Sequence, residues 1–144
     1  MKPIGMMLKH VHILNAEKMN LLLKEIDLTS TQCFVLIYLL KNYCKQIEVN
    51  QKDIEKEFNI SNPTVTGILN RLQNKGLINR VACEKDARRN NIVVTKEALA
   101  LDERLKQYFK SNEDFMLEGI SEAELIALRN VLNKIISNLG GKLW

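Results

Sequence analysis

Two groups of residues in this 144-residue chain have the types and spacing to do chemistry. The first is the stretch Ser61-Asn-Pro-Thr-Val-Thr-Gly-Ile-Leu-Asn-Arg-Leu-Gln-Asn-Lys-Gly76. On a 3.6-residue wheel its Val65, Ile68, Leu69 and Leu72 share one face, which must be the buried stripe. The opposite face holds Pro63, Thr66, Gly67, Asn70, Arg71 and Asn74, with Thr64 at its edge, Ser61 and Asn62 at its start and Lys75 at its end. Thr and Asn side chains donate and accept hydrogen bonds and Arg forks onto guanine, so this face can read base edges in a major groove. Gly67 costs about 1 kcal/mol relative to Ala in a helix interior, and on the outward face it would let the helix sit close to a duplex. The second group is Lys85, Asp86, Arg88, Arg89 and Asn90, a basic tip able to place an Arg in a narrow minor groove, where negative potential is concentrated. Asp86 lies two residues before Arg88, close enough for an ion pair that would hold the shape of the tip.

The charge distribution supports the same chemistry. Residues 50 to 96 carry nine Lys/Arg against five Asp/Glu, the rest of the chain balances at twelve and twelve, and no acid occurs from Phe58 to Cys83. All of the net charge of +4 therefore sits in the central third, as in a polyanion-binding module within a neutral scaffold. An unevenly solvated surface is the plainer explanation of such an asymmetry, but it accounts less well for cations gathered at one tip. The 46% apolar and 26% charged composition is that of a folded domain rather than a disordered chain. The longest apolar run, Phe34 to Leu40, is seven residues, far short of the roughly 20 that a bilayer requires. No membrane partner is expected. Three cysteines without C-x-x-C spacing fit reduced thiols in a cytoplasmic protein better than a disulfide framework.

The elements that must position these residues follow from periodicity and caps. Ile4, Met7, Leu8, Val11, Leu14, Leu21 and Leu22 predict a long first helix over 4 to 24, interrupted near Glu17 and Lys18. Thr29 and Gln32 have capping-box spacing ahead of an apolar helix ending near Asn42. Ile47-Glu-Val49 alternates like a short strand, and Asn50 caps a helix through Phe58. Ser61 or Asn62 caps the next, with Pro63 in its first turn and Gly76 as its stop. Leu77 to Cys83 and Asn91 to Thr95 predict a hairpin around a long basic loop, residues 84 to 90. A helix from Lys96 to about Lys110 is expected to break at Ser111-Asn-Glu-Asp114. Ser121 and Glu124 then cap a last helix whose Leu125, Leu128, Leu132, Ile135 and Leu139 fall in a 3-4 seam suited to packing on other helices, of this chain or of a second one. The fold class is mainly α with a small β-hairpin wing (α+β): two short helices joined by a turn, beside a hairpin, make a winged helix-turn-helix.

These residues also carry a resemblance. The run LTSTQCFVLIYL…VNQKDIEKEFNISNPTVTGILNRLQNKGLINRVACEKDARRNNIVVTKEA resembles the MarR family of bacterial winged-helix transcription regulators, most specifically in T-V-T-x-x-L-x-R-L-x-x-K-G-L-I-x-R at Thr64 to Arg80 and in D-x-R at Asp86 to Arg88. It implies three segments: an N-terminal dimerisation helix (1–28), a winged helix-turn-helix (29–96) and C-terminal dimerisation helices (97–144). It also implies a homodimer on a double-stranded, pseudo-palindromic operator, the helix at 62 to 75 in the major groove, the wing on the minor groove, an Asp86–Arg88 pair and often a small-molecule effector pocket. The sequence departs from the family pattern at Ala87, often Arg, at Gly67, often larger, and at Ala98, usually Gly.

An aromatic effector pocket is suggested by Phe34, Tyr38, Tyr43 and Tyr108, each of which is equally well an ordinary core residue. Cys33 is expected in the core, whereas Cys44 near Lys41 and Lys45, and Cys83 near Arg80 and Lys85, have surroundings that could favour thiolate. His10 and His12 diverge by about 200° on a helix and cannot chelate one ion together, so no metal or cofactor is expected. Without a nucleophile motif or phosphate-binding Gly loop, the chain does not read as an enzyme. The reading is a homodimeric repressor released by an effector. Its alternatives are a thiol-switched regulator acting through Cys44 or Cys83, and a winged helix that binds protein without DNA specificity.

Overall fold

The structure, a computed structural model, describes residues 1–142, apart from the side chain of Ala87. The departure at Ala87 thus lies outside the described side chains, as do Leu143 and Trp144 of the expected last segment. Six α-helices and one antiparallel hairpin follow in the order α1 (Ile4–Leu22), a 3-10 turn (Leu23–Ile26), α2 (Ser30–Cys44), α3 (Gln51–Phe58), α4 (Asn62–Asn74), β1 (Ile78–Cys83), β2 (Asp86–Val94), α5 (Lys96–Met116) and α6 (Glu122–Asn138). The chain forms two compact units, Met1–Asn112 and Glu113–Trp144.

In the first unit the expected caps close the helices. Thr29 and Gln32 form a reciprocal box at the start of α2, and Asn50 forms another with Asp53 at α3. Each satisfies amide donors that would otherwise be orphaned. Ser61 caps α4, with Pro63 in the first turn, where its missing N–H is harmless. Gly76, at φ +71°, takes the left-handed position that ends α4. The core gathers Leu36, Leu39 and Leu40 of α2, Ile54 of α3, the buried stripe Val65, Ile68, Leu69 and Leu72 of α4, and Ile78, Ile92 and Val94 of the hairpin. Burying a side chain such as Leu69 contributes about 1.5–3 kcal/mol, so α4 is held mainly by its rear face.

Three local expectations need correction. Residues 47 to 49 form no strand; Val49 only accepts the Ile92 N–H at 2.8 Å, and Asn50 bridges Asn91. The polar run Ser111 to Asp114 does not break α5, which continues to Met116. It contains neither Gly nor Pro, and Asn112 is buried, donating to Asn15 of α1 at 2.6 Å; the run is therefore an inward contact rather than a solvated stop. The long basic loop is absent, because β2 starts at Asp86 and only Glu84 and Lys85 turn the chain.

The first helix forms as expected from its period, with Met19 as its buried residue, while Ile4, Met7, Val11, Leu14 and Leu21 are exposed. In the second unit, α6 is capped by the expected Ser121–Glu124 box and buries no residue. Hydrogen bonds donated by the Ser121 hydroxyl at 2.7 Å and by its backbone N–H at 2.9 Å hold the Glu124 carboxyl below its ordinary pKa. Ile126, Leu128, Val131 and Leu139 of α6 are exposed.

Candidate nucleic-acid interface

With its apolar stripe buried, α4 presents Pro63, Thr64, Asn70, Arg71 and Asn74 as exposed residues, and Thr66 and Gly67 as half-buried ones. The space beside Gly67 is open, since an added Cβ would meet no atom within 4 Å. At the start of α4 the polar residues are engaged with α3. Gln51 Nε2 donates to Thr66 Oγ1 at 2.8 Å, Thr66 Oγ1 donates to the Asn62 carbonyl at 2.9 Å, and Asn62 Nδ2 donates to Glu55 at 2.6 Å. Ser61 and Thr64 share a hydroxyl contact at 2.9 Å. Thr66 and Asn62 therefore brace the two helices of the helix-turn-helix, and the outward row narrows to Pro63, Gly67, Asn70 and Asn74, flanked by Arg71.

At the other end, the Lys75 ammonium is drawn to Asp27, binding its carboxylate at 2.9 Å and also its backbone carbonyl. Asp27 is the left-handed residue (φ 52°) that closes the turn after α1. Lys75, expected among the residues facing a duplex, is thus occupied within the protein.

Sequence reasoning passed over Arg80. Its guanidinium forks onto two side chains of α4, donating from Nη2 to Asn70 Oδ1 at 2.9 Å and from Nη1 to Gln73 Oε1. A signal existed in strand parity. Arg80 alternates with Ile78, which is fully buried, so it lies on the inward side of β1, where an arginine needs partners.

The wing differs from the expected loop in a way that affects its arginines. Ala82 pairs with Asn90, yet the next residue, Cys83, pairs with Asp86. Ala87, Arg88 and Arg89 are therefore extra residues on β2, raised in a bulge. Asp86 organises the bulge, but not through the expected pair with the Arg88 side chain. Its Oδ1 accepts the Arg88 backbone N–H at 3.0 Å, while Oδ2 faces Arg89 Nε at 3.8 Å. A short carboxylate reaches a backbone N–H two residues on more readily than a long guanidinium, which leaves the Arg88 side chain exposed.

Between the helix pair and the wing lies an open notch of about 540 Å³, into which Lys52, Arg80, Arg88 and Arg89 converge, together with Asn90. Asp86 is the single acid of its lining, and it is already engaged by the bulge. Lys85 stands outside this notch, on the exposed turn.

The four aromatic residues suggested for an effector pocket take separate neighbours within the chain. Phe34 stacks obliquely on Phe109 at 5.0 Å, and Tyr38 meets Phe58 edge-on at 5.7 Å. Burial, then Glu57 and Asp53, raise the Tyr38 phenol pKa. Tyr108 donates its hydroxyl to Glu25 at 2.8 Å. Tyr43 instead lines an open cleft of about 850 Å³ behind the wing, with Cys44, Cys83, Ile47 and Val81. Cys33 is in the core as expected, its thiol pushed up to about 12 by burial.

Similarity to known proteins agrees with this geometry. A model of the MarR family matches residues 28–89. The fold superposes on Staphylococcus aureus MepR in its complex with DNA at a TM-score of 0.88, with 28% identity over 96% of this chain and 99% of that one. It superposes on the transcription regulator MarR from Oenococcus oeni PSU-1 at 0.74, with 32% identity over 94% and 99%. Apo MarR from Escherichia coli, at 20% identity, shares the fold at 0.79 over 94% and 98%. A helix-turn-helix with a basic wing, matched in both fold and sequence along nearly its whole length, is a member of the MarR family of transcription regulators.

Proposed function

We propose that the chain is a sequence-specific regulator that binds a pseudo-palindromic operator as a homodimer, repressing transcription until a small-molecule effector releases it. The notch carries this reading. Four cations converge beside an acid-free helix face, and phosphate contacts position such a protein while base contacts specify the site. The DNA complex of the similar MepR supports duplex DNA as the partner. Residues assigned to the duplex are Pro63, Thr64, Gly67, Asn70 and Arg71 on α4, with Ser61 and Asn62 at its start, and Lys85, Arg88, Arg89 and Asn90 on the wing. Asp86 shapes the wing, and Thr66 sets the angle between α3 and α4. Two-fold symmetry would hold the paired α4 helices about one DNA turn apart, ~34 Å. The three segments, 1–28, 29–96 and 97–144, are assigned to dimerisation, DNA binding and dimerisation.

Selection from random and genomic duplexes, followed by titration, tests the reading. A single enriched two-half-site sequence is expected, with ~10³ to 10⁵ of its affinity lost between 50 and 200 mM salt for about six to ten phosphate contacts. Failure to enrich any sequence would leave a protein-binding winged helix instead.

A further inference from the structure

Asn70 is an exposed amide on the reading face, and such an amide has two ways to meet a base. Asparagine pairs with adenine by accepting from N6 and donating to N7, so it needs its oxygen and its nitrogen together. Here the orientation of the amide is already decided. A guanidinium has only donors, so the atom 2.9 Å from Arg80 Nη2 must be the Asn70 carbonyl oxygen. Gln73 is fixed in the same sense, its Oε1 facing Arg80 Nη1. One arginine therefore occupies the oxygens of both exposed amides. What Asn70, Gln73 and Arg80 offer a ligand most readily are N–H groups, the two amide nitrogens and the remaining guanidinium protons, since a donor that used the second lone pair of either oxygen would lie beside the Arg80 cation.

From this geometry we infer that Asn70, its amide held by Arg80 with the nitrogen free toward a ligand, selects guanine over adenine at one base pair of each half-site, with Arg80 as the positioning residue. The inference rests on the DNA-binding reading above and adds the identity of the base. Guanine offers two adjacent acceptors, O6 and N7, in the major groove, whereas adenine offers N7 beside an N6 amino group. An adenine amino group brought to Asn70 Oδ1 would share that oxygen with a cation, donor beside donor. Guanine O6 placed beside Asn70 Nδ2 instead meets an N–H donor, with the Arg80 charge nearby. Polarisation of the two carbonyls by the guanidinium also strengthens their amide N–H groups as donors.

Selection from a random duplex library with the full chain, followed by titration of the enriched duplex and its single-pair variants, tests this. The pair read by Asn70 is the one whose preference disappears in Asn70→Ala, an exposed substitution that leaves the core intact. In the natural protein that pair should be G·C, favoured over A·T by about five- to a hundredfold, the range of one good base contact. Arg80→Met frees the amide to turn over, so adenine should be accepted about as well as guanine at that pair, while preferences elsewhere hold. Adding Arg80→Met to Asn70→Ala should change the ratio no further, as expected if Arg80 acts through Asn70. Adenine at the mapped pair in the natural protein overturns the proposal, as does an Asn70→Ala variant that changes no base preference and so marks a phosphate contact. An Arg80→Met variant that binds more weakly with the same preferences removes its positioning role. The comparison of the natural protein with Asn70→Ala decides the base even if Arg80→Met does not fold. Absence of any enriched sequence is a different result and defeats the DNA-binding reading itself.

Discussion

At Gly67 the reading face and the stability of α4 pull in opposite directions. No protein atom occupies the space a Cβ would take, so nothing inside the chain requires glycine there, and its φ is not in the left-handed region. Gly67→Ala should raise stability by roughly 0.5–1 kcal/mol, seen as a higher melting temperature. It should also weaken operator binding in titration if the helix backbone presses close to the duplex; unchanged affinity would mean that the gap is merely an unused contact. The buried stripe was legible because four apolar residues at helical spacing have one way to be satisfied. Hydroxyl and amide positions were less so. Thr66 and Asn62 share the outward half of the wheel with Asn70, yet Gln51 and Glu55 claim their polar atoms, and a partner on another helix leaves no trace in the spacing along one.

In the wing the informative unit is the bulge rather than any one side chain. Asp86 holds the backbone of Arg88 and faces Arg89, so the carboxylate stiffens the bulge while the Arg88 guanidinium stays outside. Arg88→Ala is expected to weaken binding to all duplexes alike and to reduce the slope of log affinity against log salt by about 1, the share of one phosphate contact. A slope equal to that of the natural protein would exclude Arg88 from the backbone contacts. The hairpin was visible in its two β-prone runs and its basic tip, but its register was not. Polar residues from Glu84 to Asn90 read as a loop because strand propensity reflects packing on a half-buried surface, and a bulge of arginines has none. The same reasoning explains α5: Ser111 to Asp114 looked like a break by composition, but the run lacks Gly and Pro, and its Asn112 makes a buried contact with Asn15.

Across the molecule, two helices carry apolar residues that the single chain does not cover: Val11 and Leu14 among others on α1, and Leu128 and Val131 on α6. Exposed apolar rows of this kind mark interaction surfaces, and under the homodimer proposed above a second copy of the chain would cover them. Replacing both Leu128 and Val131 by Asp should shift the sedimentation of the chain from dimer to monomer. Affinity for a duplex with two half-sites should then fall by about 10²- to 10⁴-fold as the linkage between them is lost. A variant that stays dimeric would place the contact elsewhere. Periodicity announced these helices, but it does not distinguish burial within a chain from burial between chains, so the seam on α6 was readable and its partner was not. The contact between Lys75 and Asp27 bears on how such an assembly could be heard at the duplex. It fastens the tail of α4 to the corner where the chain leaves α1, 48 residues earlier in sequence, while Gln51 fastens the head of the same helix to α3. Beyond the buried stripe, α4 is thus tied at each end to a different neighbour, and the tie to the α1 corner, an exposed ion pair, contributes only about 0–1 kcal/mol, so Lys75→Ala would loosen that corner from the reading helix without unfolding it.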